Sequence, residues 1–313
     1  MPRFEASPVH GVLLLDKPRG LSSQHALQRA RRALCAAKAG HTGTLDPLAD
    51  GLLPLCFGAA TKYAQLQLDA DKAYRALVRL GETTATDDGE GEVLQRLPVP
   101  VLGDAELSSV LQRFVGRIAQ VPPRYSALKR DGQPLYARAR AGEMFELGAR
   151  SVRIDAIEPI AFDGTQLVLD VRCGKGTYIR ALARDLGQAL GCGAHLAALR
   201  RTASGGFGVE QAITLDALCA LDADAARELL LPVERLLDAL PAVLLDEAQA
   251  AGFLQGRRLR LQPAPQLPPG PLRVHRAGGC GGTTTSVFLG VGDWDGIVLA
   301  PQRLLSDEEL RTQ

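Results

Sequence analysis

Apolar periodicity in this chain switches between period two and the helical 3.6 without settling into a strand–helix–strand repeat, and no other feature limits the fold more. Val12-Leu13-Leu14-Leu15 is a short apolar run ended by the turn-like Asp16-Lys17-Pro18-Arg19-Gly20, which predicts a buried strand. Ser22 or Ser23 caps a helix running to about Ala37, with Ala26, Leu27, Ala30, Ala33, Leu34 and Ala37 at helical spacing and Gly40 as its stop. Tyr74, Ala76, Val78 and Leu80 alternate with Arg75 and Arg79, a half-buried strand. Residues 83–92 are acidic and contain glycine, as a solvated hairpin or loop would. A helix begins at Asp104, with Leu107, Val110, Leu111 and Phe114 on one face. Strands follow at 151–162 and 166–172, a helix from about Thr177 to Leu190, and an acidic helical stretch over 214–240. This intermixing favours an α+β fold around a largely antiparallel sheet over a doubly wound one. A boundary near Pro241 divides the chain into domains at 1–245 and 246–313. The second is small and β-rich, with short strands at 286–292 and 296–300 beside a Pro/Gly-rich connection.

Composition narrows the function classes. The 313 residues are 46% hydrophobic and 23% charged, enough for one large or two ordinary globular domains. Lys and Arg number 36 against 35 Asp and Glu, whereas a protein coating nucleic acid by bulk charge is far more basic. The sum conceals segregation, however. Residues 111–150 hold eight basic residues against three acids, and 248–292 hold five arginines and no acid. The acids concentrate elsewhere, seven within 81–106 and eight within 214–247. Near-neutrality is therefore compatible with local RNA contacts of modest non-specific affinity. The six cysteines are scattered and form no C-x-x-C, the pattern of reduced thiols in a cytoplasm. The N-terminal residues lack a signal-peptide run, and the apolar stretch 11–15 is too short to span a bilayer.

Several chemical motifs fail on inspection. Gly174-Lys175-Gly176-Thr177 is not a phosphate loop, because Gly176 follows the lysine and Leu169 occupies the place of the earlier glycine. Gly205-Gly206-Phe207-Gly208 lacks the dinucleotide spacing, and the five histidines are dispersed. No metal and no nucleotide cofactor is expected. What remains is the stretch 40–51, Gly-His-Thr-Gly-Thr-Leu-Asp-Pro-Leu-Ala-Asp-Gly, which has neither period. Taken alone, an acid followed by proline in such a loop is an Asx turn or a helix cap.

Residues His41 to Leu53 resemble the catalytic loop of the bacterial tRNA pseudouridine synthase B family. The resemblance continues in order through Asp16-Lys17-Pro18 with Gly20 and Ser22-Ser23, Ala60-Thr61-Lys62, Lys72-Ala73-Tyr74-Arg75, Pro122 to Lys129, Lys175 to Arg180, and Gly193 to Leu196 with Leu199-Arg200-Arg201. These blocks span residues 11 to 201. The resemblance implies a pseudouridine synthase fold, in which a central mixed sheet is flanked by helices. Weaker likenesses around Asp246-Glu247-Ala248 and Pro301 to Leu305 imply a C-terminal PUA-like RNA-binding domain.

The implied activity is conversion of uridine 55 in the T arm of tRNA to pseudouridine. The N1–C1′ bond breaks, the uracil turns, and C5 joins C1′. This chemistry needs no cofactor. The implied partner is the tRNA T stem-loop, bound by a cytoplasmic monomer with no membrane contact and no obligatory protein partner. Asp46 matches the essential carboxylate, acting as nucleophile on sugar or base, or as a base taking a sugar proton. His41 matches the residue that fills the space left by the flipped base, although a lone histidine is more often a cap or surface residue. Tyr74 matches the ring that stacks on the uracil and Tyr178 a second ring at the base, with ordinary core as the alternative for both. Arg180 matches the arginine that holds the catalytic carboxylate in a fork; otherwise it is a solvent-facing helix residue. Leu199 matches an apolar base contact, or is core. Lys17 and Lys62 hold either phosphates or structure. The basic stretch 121–150 resembles an insertion gripping the stem-loop, with Arg124, Lys129, Arg130, Arg138 and Arg140 toward phosphates or simply on a solvated face. A non-catalytic RNA-folding protein would not need Asp46 together with its Tyr and Arg partners. A relative working in a guide-RNA particle is disfavoured by the bacterial-type loop blocks and the absence of a Lys-rich tail.

Overall fold

Leu13 and Leu15 face one side of their strand and Val12 and Leu14 the other, and all four are buried. A strand that is apolar on both faces must lie inside a sheet covered on each side. The computed structural model describes residues 7–125, 129–130, 133–134, 147–278 and 286–312. In chain order its strands begin with β1 (Gly11–Lys17), β2 (Ala39–His41), β3 (Ala49–Phe57), β4 (Lys72–Leu80), β5 (Glu82–Thr84) and β6 (Val93–Arg96). Next come β7 (Gly116–Gln120), β8 (Lys129–Arg130), β9 (Gln133–Pro134), β10 (Arg150–Phe162), β11 (Gln166–Cys173), β12 (Ala194–Ser204), β13 (Phe207–Gly208) and β14 (Ile213–Thr214). The last five are β15 (Ala242–Leu245), β16 (Leu259–Arg260), β17 (Gly270–Ala277), β18 (Ser286–Trp294) and β19 (Val298–Leu304). The helices are α1 (Ser23–Ala33), α2 (Ala64–Leu68), α3 (Asp104–Gln112), α4 (Ile179–Ala189), α5 (Leu215–Ala220), α6 (Ala223–Glu228), α7 (Glu247–Leu254) and α8 (Asp307–Arg311).

Ten strands form one mixed sheet in the order β14–β1–β3–β12–β4–β11–β10–β7, with β2 beside β3 and β13 beside β12. Only β1–β14 and β3–β12 pair in parallel, so the architecture is the α+β, largely antiparallel one expected. One face carries Ile179, Leu182, Ala183 and Leu186 of α4 and Leu107 and Leu111 of α3 against β4, β10 and β11. Ala26, Leu27 and Ala30 of α1 pack with Leu13, Leu15, Leu53 and Leu55 in a second cluster.

Ser22 caps α1, its side chain accepting from the His25 N–H at 3.2 Å, but the helix stops at Ala33 instead of Ala37. Cys35 adopts φ 50°, which breaks the helical path, and Gly40 falls within β2. The acidic stretch 214–240 is not one helix but α5, α6 and a 3-10 turn at Val233–Leu237.

The second sheet runs β15–β17–β18–β19–β16. A division at 245/246 would cut it, because Ala242–Leu245 is its edge strand, paired in parallel with β17; the sheet starts at Ala242. The two sheets share a core in which Val12, Leu14, Leu52, Cys56 and Tyr63 meet Phe288, Val291 and Leu305. Among the described residues no helix is long and apolar enough to cross a membrane.

Candidate active site

The loop between β2 and β3 is pinned from several directions. Thr42 N–H donates to Pro54 O at 3.1 Å, Gly20 N–H to Pro47 O at 2.7 Å, and Ala49 N–H to Asp46 O at 3.0 Å. Ser23, left as a possible cap, instead clamps this loop. Its buried hydroxyl donates to Leu45 O at 2.9 Å and accepts from Leu45 N–H at 2.7 Å. Leu45 and Leu48 bury their side chains on either side of Asp46. The backbone at Asp46 is therefore fixed, while its side chain stays 48% exposed.

Arg180 sits in the first turn of α4 and reaches Asp46 with Nη2–Oδ2 at 2.8 Å. It is not the solvent-facing helix residue that spacing alone allowed, since its side chain is only 8% exposed. Nor is it a fork on one carboxylate. Nη1 donates to Asp88 Oδ2 and to Thr86 O, each at 3.3 Å, and Nη2 to Tyr125 O at 2.9 Å. Asp88 is itself buried and accepts from the Thr86 hydroxyl and, at 3.1 Å, from Glu90 N–H. The result is a line of charges, Asp88–Arg180–Asp46, with only the last open to a ligand. Sequence reasoning placed Asp88 in a solvated acidic loop. The one signal against that was its neighbourhood of Thr84 and Thr86, whose hydroxyls turn inward onto it.

Four strands supply the floor. Lys17 faces Gly51 across β1 and β3, Gly51 faces Arg201 across β3 and β12, and Arg201 faces Tyr74 across β12 and β4. Directly opposed residues project to the same face, so this row lies on one side of the sheet. Leu199, two residues before Arg201, faces Ala49 and Ala76, and with Tyr74 it packs partly buried against both main clusters. Burial raises the Tyr74 phenol above its ordinary pKa, opposed by the Arg201 guanidinium beside it. Tyr178 precedes α4 and is held through its backbone by the buried Gln120, which accepts from its N–H at 2.9 Å and donates to its carbonyl at 3.1 Å.

His41 ends β2 half-buried, and its Nδ1 has no hydrogen-bond partner among the described residues. Burial, together with the Arg201 charge, lowers its pKa from the ordinary value, so the ring is less readily protonated than a free imidazole. The structure joins Asp46 directly to Arg180 and sets Tyr74 and His41 beside Arg201, with Leu199 two residues away on β12.

Both lysines are engaged by partners within the protein. Lys17 is fully buried, and its Nζ donates to Pro18 O at 2.8 Å and Leu21 O at 2.7 Å, closing the turn before α1. Burial pushes its pKa down to about 8, partly offset by Asp50 and Asp46. Lys62 donates to Leu304 O at 2.9 Å and pairs with Glu309, tying the two sheets together. Both make structural contacts. Arg124 is exposed at the edge of the basic stretch. The side chains of Lys129 and Arg130, together with Arg138 and Arg140, lie outside the described residues. A cavity of about 610 Å³ between Val9, Leu231 and Phe288 contains none of the site residues and sits at the seam between the sheets.

The backbone arrangement is shared with known proteins. A chain in the "Structure of H/ACA RNP bound to a substrate RNA containing 2'-deoxyuridine" superposes with TM-score 0.71 at 25% identity, covering 96% of this chain and 86% of that one. A chain in a Cbf5-Nop10-Gar1 complex gives 0.72 at 26% identity, covering 99% and 89%. The fold is that of the pseudouridine synthases. Family models separate the branches within the class. The model for "TruB family pseudouridylate synthase (N terminal domain)" matches residues 31–179, and two TruB C-terminal models match 180–238 and 241–305. The tRNA pseudouridine synthase B of Azoarcus sp. is 55% identical, with 96% of each chain covered. That of Ralstonia pickettii is 53% identical, covering 97% of this chain and 98% of its own. The chain belongs to the TruB family of tRNA pseudouridine synthases, isomerases that act on uridine in tRNA.

Proposed function

We propose that this enzyme isomerises uridine 55 in the T arm of tRNA, with Asp46 as its essential group. The observation that carries this reading is the half-exposed Asp46 carboxylate, oriented by a buried Arg180 that is itself anchored on Asp88. A carboxylate whose position is set before substrate arrives can act on a sugar or base atom without reorganisation at the moment of reaction. The target uridine is everted from its loop. Its ring stacks on Tyr74, with Leu199 and Tyr178 bounding the pocket and His41 in the space left behind. Asp46 then serves as nucleophile or base while N1–C1′ breaks, the uracil turns, C5 bonds to C1′ and gives up its proton, and N1 takes one up. No cofactor takes part.

The first sheet, with the basic insertion about 121–150, is the catalytic and stem-gripping part, where Arg124 and Lys129 contact phosphates. The second sheet is a PUA-like RNA-binding domain. The enzyme acts as a cytoplasmic monomer without a protein partner. The test is chemical mapping of pseudouridine in T-arm transcripts treated with wild type and Asp46→Asn. Wild type should modify position 55, and the variant should lose at least about 1,000-fold in rate while still binding tRNA. Modification at another position, or an Asp46→Asn rate near that of wild type, would overturn the reading.

A further inference from the structure

Arg201 is the least accounted-for charge near the site. Its side chain is buried, with 1% of the residue exposed, and it has no carboxylate partner among the described residues. A buried guanidinium without a counter-charge is costly and persists only where its N–H groups are used. Nε donates to Leu52 O at 2.6 Å and Nη2 to Gly43 O at 3.2 Å. The group also stands directly opposite Tyr74 across β12 and β4, where guanidinium and phenol influence each other electrostatically. These three partners belong to β3, to the loop three residues before Asp46, and to β4.

Gly51 makes this reach possible. It sits at φ 98° opposite Arg201, and a Cβ there would overlap the Arg201 backbone. With no side chain at that point in the row, the guanidinium folds back across β3 to the loop. Arg200, its neighbour in sequence, points to the other face and is spent on Asp16 and Asp50. Two adjacent arginines in one strand thus do different work.

We infer that Arg201 is a positioning residue that joins the Tyr74 ring to the Asp46 loop, fixing the separation between stacking platform and reactive carboxylate. It touches no reacting atom and acts through the Tyr74 hydroxyl and the Gly43 carbonyl. The inference rests on the roles proposed above for Tyr74 and Asp46.

A double-mutant cycle tests it, with kcat, KM and tRNA Kd measured on a T-arm transcript for Arg201→Gln, Tyr74→Phe and the pair, and a urea midpoint for each. Arg201→Gln should lower kcat roughly 10- to 100-fold, the scale of a lost hydrogen bond from a charged group, with KM and Kd within about threefold of wild type. Arg201→Lys, which keeps the charge but not the fork, should recover part of the loss. In the Tyr74→Phe background the hydroxyl is gone, so the further loss from Arg201→Gln should shrink severalfold. Losses that multiply across the pair, or a kcat unchanged by Arg201→Gln, would overturn the inference. If the glutamine variant fails to fold, the same cycle with Arg201→Lys decides by the same criterion. An inactive wild type on position 55 would instead refute the proposed function. Multiplying losses in an active enzyme refute only the coupling.

Discussion

Asp46 gains its orientation from a group that is fully committed before substrate arrives. Arg180 divides its N–H donors among Asp46, Asp88, Thr86 O and Tyr125 O, so it has no spare freedom to follow a moving carboxylate. Replacing Asp88 by Asn keeps the shape and removes the buried counter-charge. We expect Asp88→Asn to lower kcat roughly 10- to 100-fold with unchanged tRNA affinity, since Asp88 is buried behind Arg180 and offers no surface to RNA. Single-turnover rates and filter binding would check this, and a loss confined to affinity would contradict it. Asp46 and Arg180 were legible because each stands in an extended family block. Asp88 and Ser23 were not, because a loop acid and a helix-capping serine look the same in sequence whether they face solvent or a neighbouring loop. For Lys17 the sequence allowed either a phosphate contact or a structural role. A lysine in a turn reads as exposed, yet two carbonyls within 2.8 Å give a buried amine enough partners.

At the level of elements, β4 was readable by its alternation, whereas β3 and β12, which meet beside it in the floor of the site, were not. β12 is rich in alanine and carries irregularities between Leu196 and Ala198 and between Arg201 and Ala203, so its inward and outward positions lose the period of two. β3 contains Pro54, which ordinarily argues against an inner strand. Its carbonyl accepts from Thr42 on the side away from β1, where β12 pairs only residues 49–51 and β2 only 55–57. The missing N–H therefore falls in a gap and costs no ladder bond. The contact of β3 with β12 depends on Gly51. Gly51→Ala should force the strands apart and lower stability by upwards of about 2 kcal/mol, through overpacking added to a left-handed φ. A urea titration showing a wild-type midpoint would exclude that view of the β3–β12 seam.

Across the whole molecule, the shared cluster of Val12, Leu52 and Tyr63 with Phe288 and Leu305 makes the two sheets one unit of packing. Tyr63 packs at a tilt against Phe288 with ring centroids 5.8 Å apart and donates to Arg303 O at 3.2 Å, beside the Lys62 tie. Calorimetry should accordingly show a single transition with matching calorimetric and van't Hoff enthalpies, and Phe288→Ala should shift that transition as a whole at a cost of about 3–5 kcal/mol. Two resolved peaks would mean that the sheets melt independently. The same seam bears on biosynthesis. During translation the strands around Asp46 leave the ribosome with one side of Val12 and Leu52 still wet, and it becomes dry only after Phe288 and Leu305 have emerged. A nascent chain can have every residue of the site yet lack the finished support beneath it until synthesis has passed Leu305.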